Sequence, residues 1–436
     1  MDEPAVNTTI FGEHERRVID QLDRCVAQEG GARGVLCADG HLGYSAPIGG
    51  VVAYREHVSP AAVGYDIGCG NLAVRTGLAA DDLRPDLAGI MDRIYAEVSF
   101  GVGRRDGRAE DHPVIDRIRE ADFEPQRALA DDAAKQLGTV GAGNHYVDLF
   151  ADENDEVWIG VHFGSRGFGH RTASGFLSLA AGGRFGERGR EGEMEAAPDV
   201  LDVSSHLGQA YLSAMELAGA YAHAGREVVV DQVLEILGTD PVEAVHNHHN
   251  FAWREAHGGE DFYVVRKGAT PAFPGQRGFV GATMGEPAVI LEGIDTELAA
   301  SALHSTVHGA GRAMSRTAAA GKVRRRWACN NRDCDWFQAP GEHKPRGGAC
   351  PRCGNPALSK RLVKMTAGAI DWAAARGDLV SKGIELRGAA ADEAPGAYKR
   401  LGEVLTAHEG TVRILHTLTP MGVAMAGPDT PDPWKD

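Results

Sequence analysis

Aromatic residues are scarce, at 6% of the chain, so a core has to be built from Ala, Leu, Val and Ile. No apolar run reaches the ~18 residues that a membrane-spanning helix needs. The start, Met1-Asp2-Glu3-Pro4, lacks the charged-then-apolar pattern of a secretory leader, and a cytoplasmic location is the expectation. Positive charge is also short: 45 Lys and Arg against 61 Asp and Glu leave a net charge of −16. That balance excludes a nucleic-acid binder working through a uniformly basic surface. Disulfide pairing is poorly served by seven cysteines, an odd number. In a reducing compartment they read as ligands, nucleophiles or packing residues.

What is present fits a folded protein. The 436 residues make two to three domains or one large enzyme core, and 43% hydrophobic with 24% charged is a globular composition. Glycine, at 57 residues, is about twice as frequent as usual, which points to many tight turns and close backbone approaches. Apolar spacing predicts helices over 14–28, 80–98, 112–137, 204–237 and 361–376, and a partly helical stretch over 298–318. Strand patterns fall at 34–37, 156–161, 243–251, 262–266 and 287–292, with extended chain over 411–426 and a turn at Pro420. Strands and helices mix without a regular β-α-β period, so the expected class is α+β. Residues 182–198 read as a loop and 427–436 as a frayed tail.

Two patterns carry chemistry. The first is local: Cys329-x4-Cys334 and Cys350-x2-Cys353 offer four thiolates at a spacing that suits a closed, structural Zn2+. A segment this short cannot build its own core, so the ion would fold it. The same stretch, from Lys322 to Arg361, holds ten Lys and Arg against three Asp and Glu, an asymmetry that points to an anionic partner. The second pattern is dispersed. Asp39-Gly40-His41, Tyr65-Asp66-Ile67-Gly68-Cys69-Gly70, Gly141-Ala142-Gly143-Asn144-His145, His162-Phe163-Gly164-Ser165-Arg166-Gly167, His246-Asn247-His248-His249-Asn250 and His308-Gly309-Ala310-Gly311-Arg312 each place Gly or Asn beside potential ligands. Together they supply a mixed O, S and N donor set suited to a divalent transition metal. A thiolate between two ions could bridge them, an arrangement used for phosphoryl chemistry. If 246–250 is extended, His246, His248 and Asn250 face one way and Asn247 and His249 the other. Cys25 and Cys37 lie on apolar faces and read as core; His304 reads as a helix neighbour of His308, and His41 as a support for Asp39.

From about Asp39 to Gly427 the chain resembles the RtcB family of RNA-splicing ligases, through GYDIGCG, GAGNH, HFGSRG, HHN, RKGAT and HGAGRxxSR. The resemblance implies a single large catalytic domain, residues 1–322 and 361–436, interrupted by a zinc ribbon at 323–360. It implies a site for two Mn2+ ions at Asp66, Cys69, His145, His162 and His249, with Cys69 bridging and His246 a lesser rival to His249. It makes His308 the nucleophile and puts Asp39 near the nucleotidyl-transfer centre. Asn144, Asp148, Asn250, Arg166 and Tyr398 match nucleotide- or phosphate-contacting positions.

The implied reaction joins RNA 3′-phosphate or 2′,3′-cyclic phosphate ends to 5′-hydroxyl ends, with GTP as co-substrate and a His–GMP intermediate. Ala426 stands where the family has Lys, Pro271 where Arg is expected and Asp148 where Glu is usual. These departures put the nucleotide base in question. They keep two alternatives in view: a metal-dependent RNA-end phosphoesterase without ligation, and a non-catalytic RNA- or ribosome-binding module.

Overall fold

The strands Arg33–His41 and Glu156–Phe163 are buried along nearly their whole length. Strands covered on both faces need packing layers on either side. In the computed structural model, which describes residues 7–106, 108, 111–187, 194–339, 341–345 and 347–427, two mixed sheets meet that need. One has five strands in the order Thr8–Ile10, Arg33–His41, Ile48–Tyr54, Glu260–Lys267, Asn250–His257. The other has eight. Its path runs Pro241–His248, Gly70–Ala79, Glu156–Phe163, Tyr146–Ala151, Val412–Met425, Ala288–Gly293, Arg277–Val280, and Glu385–Arg387 pairs in parallel with Val412–Met425. The remaining pairs along that path are antiparallel.

Helices are interspersed with the strands along the chain without a regular β-α-β period and pack against the sheets, an α+β arrangement. The longest, His206–Leu237, starts where the Ser205 side chain accepts from Gly208 N–H and stops at Gly238, whose φ of 68° is left-handed. It packs on Arg166–Ala180 and on the strand Glu156–Phe163. Its Tyr211, Ala214, Met215, Ala218 and Tyr221 belong to one core, and Val229, Val230 and Val233 to a second that is shared with the large sheet.

Local expectations change in several places. The expected helix over 112–137 is three short ones, Pro113–Arg119, Glu124–Arg127 and Ala130–Gln136, and that over 80–98 is broken at Arg84–Asp86. The expected helix over 361–376 is a strand, Leu358–Lys364, followed by a helix that begins only at Trp372. The strand forms because Val323–Cys329 is its antiparallel partner, Val323 facing Lys364 and Cys329 facing Leu358. The expected ribbon boundary at 360 therefore falls inside this strand. Residues 298–318 divide into a short helix Glu297–Ser301, a strand Ser305–Val307 and a helix Arg316–Ala320. His304, at φ 44°, breaks the first helix, so it is not a helical neighbour of His308. Its ring packs on Phe273 instead. The helix Arg166–Ala180, hidden in sequence behind a Gly-rich motif, follows the strand Glu156–Phe163. Of the expected loop and tail, 188–193 and 428–436 lie outside the described residues.

Candidate metal and nucleotide site

Register explains how far-apart motifs meet. Gly70 pairs with Phe163 and with His248, Asn71 with His162, and Tyr146 with His162. The ends of four neighbouring strands therefore converge. Asp66 and Cys69 sit in the turn before Gly70, and His145 just before Tyr146. His162 is one residue from the end of its strand, and His249 lies in the break between Pro241–His248 and Asn250–His257. That break settles the parity of 246–250. His246 and His248 turn to the Arg226 guanidinium, Asn247 accepts from Phe279 N–H, and His249 faces the cluster.

Two triads share one sulfur. Donor atoms of Asp66, Cys69 and His145 lie within 4.8 Å of one another, as do those of Cys69, His162 and His249. Cys69 Sγ is 3.9 Å from His145 Nε2 and 3.7 Å from His162 Nε2, and Asp66 Oδ2 is 3.2 Å from His145 Nε2. The outer ring nitrogens are engaged: His145 Nδ1 with Val140 O at 3.1 Å, and His162 Nδ1 with Asn71 Oδ1 at 2.6 Å. Such partners fix the tautomer and leave Nε2 free for an ion. His249 Nδ1 is buried without a hydrogen-bond partner among the described residues. Burial pushes His162 and His249 well below the usual imidazole range, so both are neutral, as ligands must be. Burial and then Asp66 push the Cys69 thiol up, against the pull of Arg226. A thiolate there needs more positive charge than the protein supplies, which divalent cations would bring. Burial raises Asp66, but the His145 hydrogen bond and charge, with Arg166, bring it to about 2. The donor set and its orphaned nitrogen thus fit two cations.

His308 leaves the strand Ser305–Val307 with its ring edge-on to His249, centroids 4.8 Å apart. The fully buried Asp39 accepts from His308 Nδ1 at 2.6 Å and from its backbone N–H at 3.0 Å. Burial works to raise the Asp39 carboxyl, and the His308 contacts outweigh it, leaving Asp39 below the usual range. With Nδ1 protonated toward Asp39, the His308 lone pair is on Nε2. His41 Nδ1 is 3.0 Å from the Asp39 carbonyl.

A pocket of about 230 Å3 opens beside these residues, and its walls include Asn144, Tyr146, Asp148, His162, His308, Arg312, Arg316, Glu393 and Tyr398. Glu393 binds both Arg312 and Arg316 at 3.2 Å; Arg312 also donates to the Tyr398 hydroxyl at 2.9 Å and lies over its ring. Asp148 is buried with Oδ1 unpartnered, and burial pushes its carboxyl well above the usual range. Met284, Val423 and Met425 line the same pocket, and Ala426 packs instead against an apolar core.

Not every expected residue reaches the pocket. Asn250 spends its amide on Asp66 O at 3.2 Å and Gly268 N–H at 2.7 Å, bracing the metal turn. Arg166, at φ 53°, stands behind His145, its Nη1 3.1 Å from His145 Nδ1. Sequence reading missed Asn71, Arg226 and Glu393, and gave no role to Arg316, the last residue of HGAGRxxSR. Arg226 had a signal, a cation at helical spacing from the apolar residues Ala222, Val229, Val230 and Val233; Glu393 had none.

The four cysteines form a separate cluster. Cys329 and Cys353 sulfurs are 3.5 Å apart and those of Cys334 and Cys350 3.7 Å. A tetrahedral Zn2+ about 2.3 Å from each sulfur needs roughly 3.8 Å between them, and a disulfide about 2.05 Å. The geometry fits the ion.

The fold and site thus define an α+β protein with a thiolate-centred cluster of metal donors beside a histidine-bearing pocket. Sequence comparison gives the lineage: a family model described as tRNA-splicing ligase RtcB matches residues 24–123 and 116–334, and the chain belongs to the RtcB family. It is 35% identical over 311 residues to the RNA-splicing ligase RtcB of Escherichia coli strain K12, covering 64% of this chain and 74% of that protein. It is 30% identical over 471 residues to the tRNA-splicing ligase RtcB of Thermococcus kodakarensis, covering 89% and 87%. With the RNA-splicing ligase RtcB of Mycobacterium bovis it shares 28% over 468 residues, covering 88% and 94%.

Proposed function

We propose that this protein is a metal-dependent, nucleotide-driven RNA ligase that joins RNA 3′-phosphate or 2′,3′-cyclic phosphate ends to 5′-hydroxyl ends. Two Mn2+ ions would be held by Asp66, Cys69 and His145 and by Cys69, His162 and His249. Bound there, they supply charge neutralisation for phosphate oxygens. The observation that carries the reading is the placement of a carboxylate-anchored histidine, His308, against one of two triads that share Cys69.

His308 Nε2 attacks the α-phosphorus of GTP, its lone pair forming the N–P bond as pyrophosphate leaves with the electrons of the broken P–O bond. Asp39 holds Nδ1–H and steadies the positive charge that develops on the ring. A cyclic phosphate end is first opened by water to a 3′-phosphate. An oxygen of that 3′-phosphate then takes the GMP from His308, restoring neutral imidazole. The 5′-hydroxyl attacks the activated phosphorus, loses its proton, and GMP departs as the phosphodiester forms. Arg312 and Arg316, set by Glu393, face the pocket with charge suited to phosphate. Asn144 and Tyr398 are polar groups for the nucleotide, and Asp148 is the polar group beside the apolar wall.

Incubation with Mn2+ and α-labelled GTP, ATP, CTP or UTP tests this. The wild type takes up label from a nucleotide, GTP by this reading, and His308→Ala takes up none. Absence of label with every nucleotide contradicts the ligase. Among the described residues Asp148 has no ion-pair partner, and the Ala426 side chain offers no donor, which favours testing the phosphoesterase reading beside it: release of phosphate or opening of cyclic ends without nucleotide and without joined product.

A further inference from the structure

The basic segment Lys322–Arg361 has no part in the reaction just described. Its strands Val323–Cys329 and Leu358–Lys364 pair with Arg324 opposite Val363 and Arg326 opposite Arg361. Directly paired residues of an antiparallel ladder project from the same face, so Arg324, Arg326 and Arg361 share one. Like charges placed opposite each other destabilise a hairpin. No carboxylate relieves this pair: among the described residues none forms an ion pair with Arg324, Arg325, Arg326, Lys360 or Arg361, and Arg326 Nε is buried without a hydrogen-bond partner. On the other face, Trp327 carries Lys344 Nζ at 4.4 Å and Lys360 Nζ at 5.7 Å from its ring centroid. A ladder of unneutralised guanidinium groups on one face, with two more lysines gathered over Trp327 on the other, matches the phosphate backbone of a single-stranded nucleic acid.

The hairpin is also anchored where such a strand would be useful. Its root is clamped by Met365 N–H to Lys322 O at 2.6 Å, Ala369 N–H to Ala318 O at 2.8 Å and Ile370 N–H to Ala319 O at 3.1 Å. Those carbonyls belong to or adjoin the short helix Arg316–Ala320, whose first residue lines the pocket. The four-cysteine cluster closes the far end, next to Cys329. In a chain of net charge −16, a confined basic arm concentrates attraction for an anion at one place.

We propose that this cysteine-clamped hairpin is the arm that grips the RNA strand, its Arg324, Arg326 and Arg361 face holding backbone phosphates of the single-stranded end that enters the pocket. The inference rests on the ligase reading only for the direction of the strand. The grip itself is measured without nucleotide and without joining, so the two fail separately.

The test uses the full-length, zinc-loaded protein and a fluorescent single-stranded RNA followed by anisotropy over a salt series. Replacement of Arg324, Arg326 and Arg361 together by Ala is expected to weaken binding about 10-fold or more and to flatten the slope of log K against log salt by about 2. Zinc content and unfolding midpoint, measured on the same sample, keep a misfolded hairpin from passing as a lost contact. Removal of the exposed Arg84, Arg119 and Arg254, which lose the same charge elsewhere, is expected to leave affinity within about 2-fold. Wild-type affinity in the first variant, or equal weakening in the second, overturns the proposal. So does competition by an acidic protein as effective as unlabelled RNA, which would make the face a protein-docking surface.

Discussion

A single buried carboxylate holds His308. Asp39 accepts from both the ring and the backbone of that residue. Asn at position 39 keeps the shape but can present N–H to Nδ1 and turn the imidazole to the wrong tautomer. Asp39→Asn is expected to slow labelling of His308 on the order of 10²–10⁴-fold, with unchanged unfolding midpoint; an unaltered labelling rate would remove Asp39 from the mechanism. Gly164 shows how little room the metal turn has, because a Cβ there would come within 2.2 Å of Asp66 Oδ1. Gly164→Ala is therefore expected to weaken Mn2+ binding by at least about 10-fold in a titration, one tenfold step being about 1.4 kcal/mol.

His408 supplies a pH dependence away from the ions. It is fully buried, stacks on Phe11 and accepts from Ala38 N–H through Nε2 at 3.1 Å. Burial lowers it from 6.5 to about 4. The unfolded chain then takes up this proton near pH 6.5 and the folded chain only near pH 4, so the His408 contribution to stability falls as pH drops through that window. The loss approaches about 3 kcal/mol at its acid end. Urea unfolding at pH 7 and pH 5 should show wild type losing more than His408→Gln; equal losses would exclude His408 as the source.

At the scale of elements, the site is made by strand ends, and Arg226 ties them together. From the long helix its guanidinium donates to Gly68 O at 2.9 Å and Phe163 O at 2.6 Å, the carbonyls beside Cys69 and His162. Arg226→Met takes this donor from Phe163 O and leaves Gly68 O with only His248 Nδ1, at 3.0 Å; it is expected to cost about 2–4 kcal/mol and to loosen both triads. The check is a denaturation midpoint together with a Mn2+ titration in which both fall; a change in neither would make Arg226 a bystander. Much of this level was legible in the sequence. The 204–237 spacing foretold the long helix, and the motifs foretold the residues that meet around Cys69. The strand Leu358–Lys364 was hidden because a partner distant in chain order, Val323–Cys329, and not local periodicity, makes it a strand. His249 could not be chosen from parity alone, because the break after His248 is a property of the two sheets that share this chain.

For the whole molecule, two groups of candidate metal ligands suit different ends. The four-thiolate group leaves no open position, so an ion there would fold the hairpin. Cys350→Ser should lose the bound zinc and expose the hairpin to protease while labelling of His308 persists; retained zinc would refute the assignment. The pairing of Glu393 with Arg312 and Arg316 escaped sequence reading because it forms only when the chain after the hairpin returns to the pocket wall. The shared-thiolate centre is the claim on which the ligase reading depends. Anomalous diffraction at the manganese edge from crystals soaked with Mn2+ and GTP tests it most directly. Two peaks flanking Cys69 Sγ, with phosphate density beside His308 Nε2, are the predicted result. A single peak away from Cys69, or none within coordination distance of it, would contradict the account.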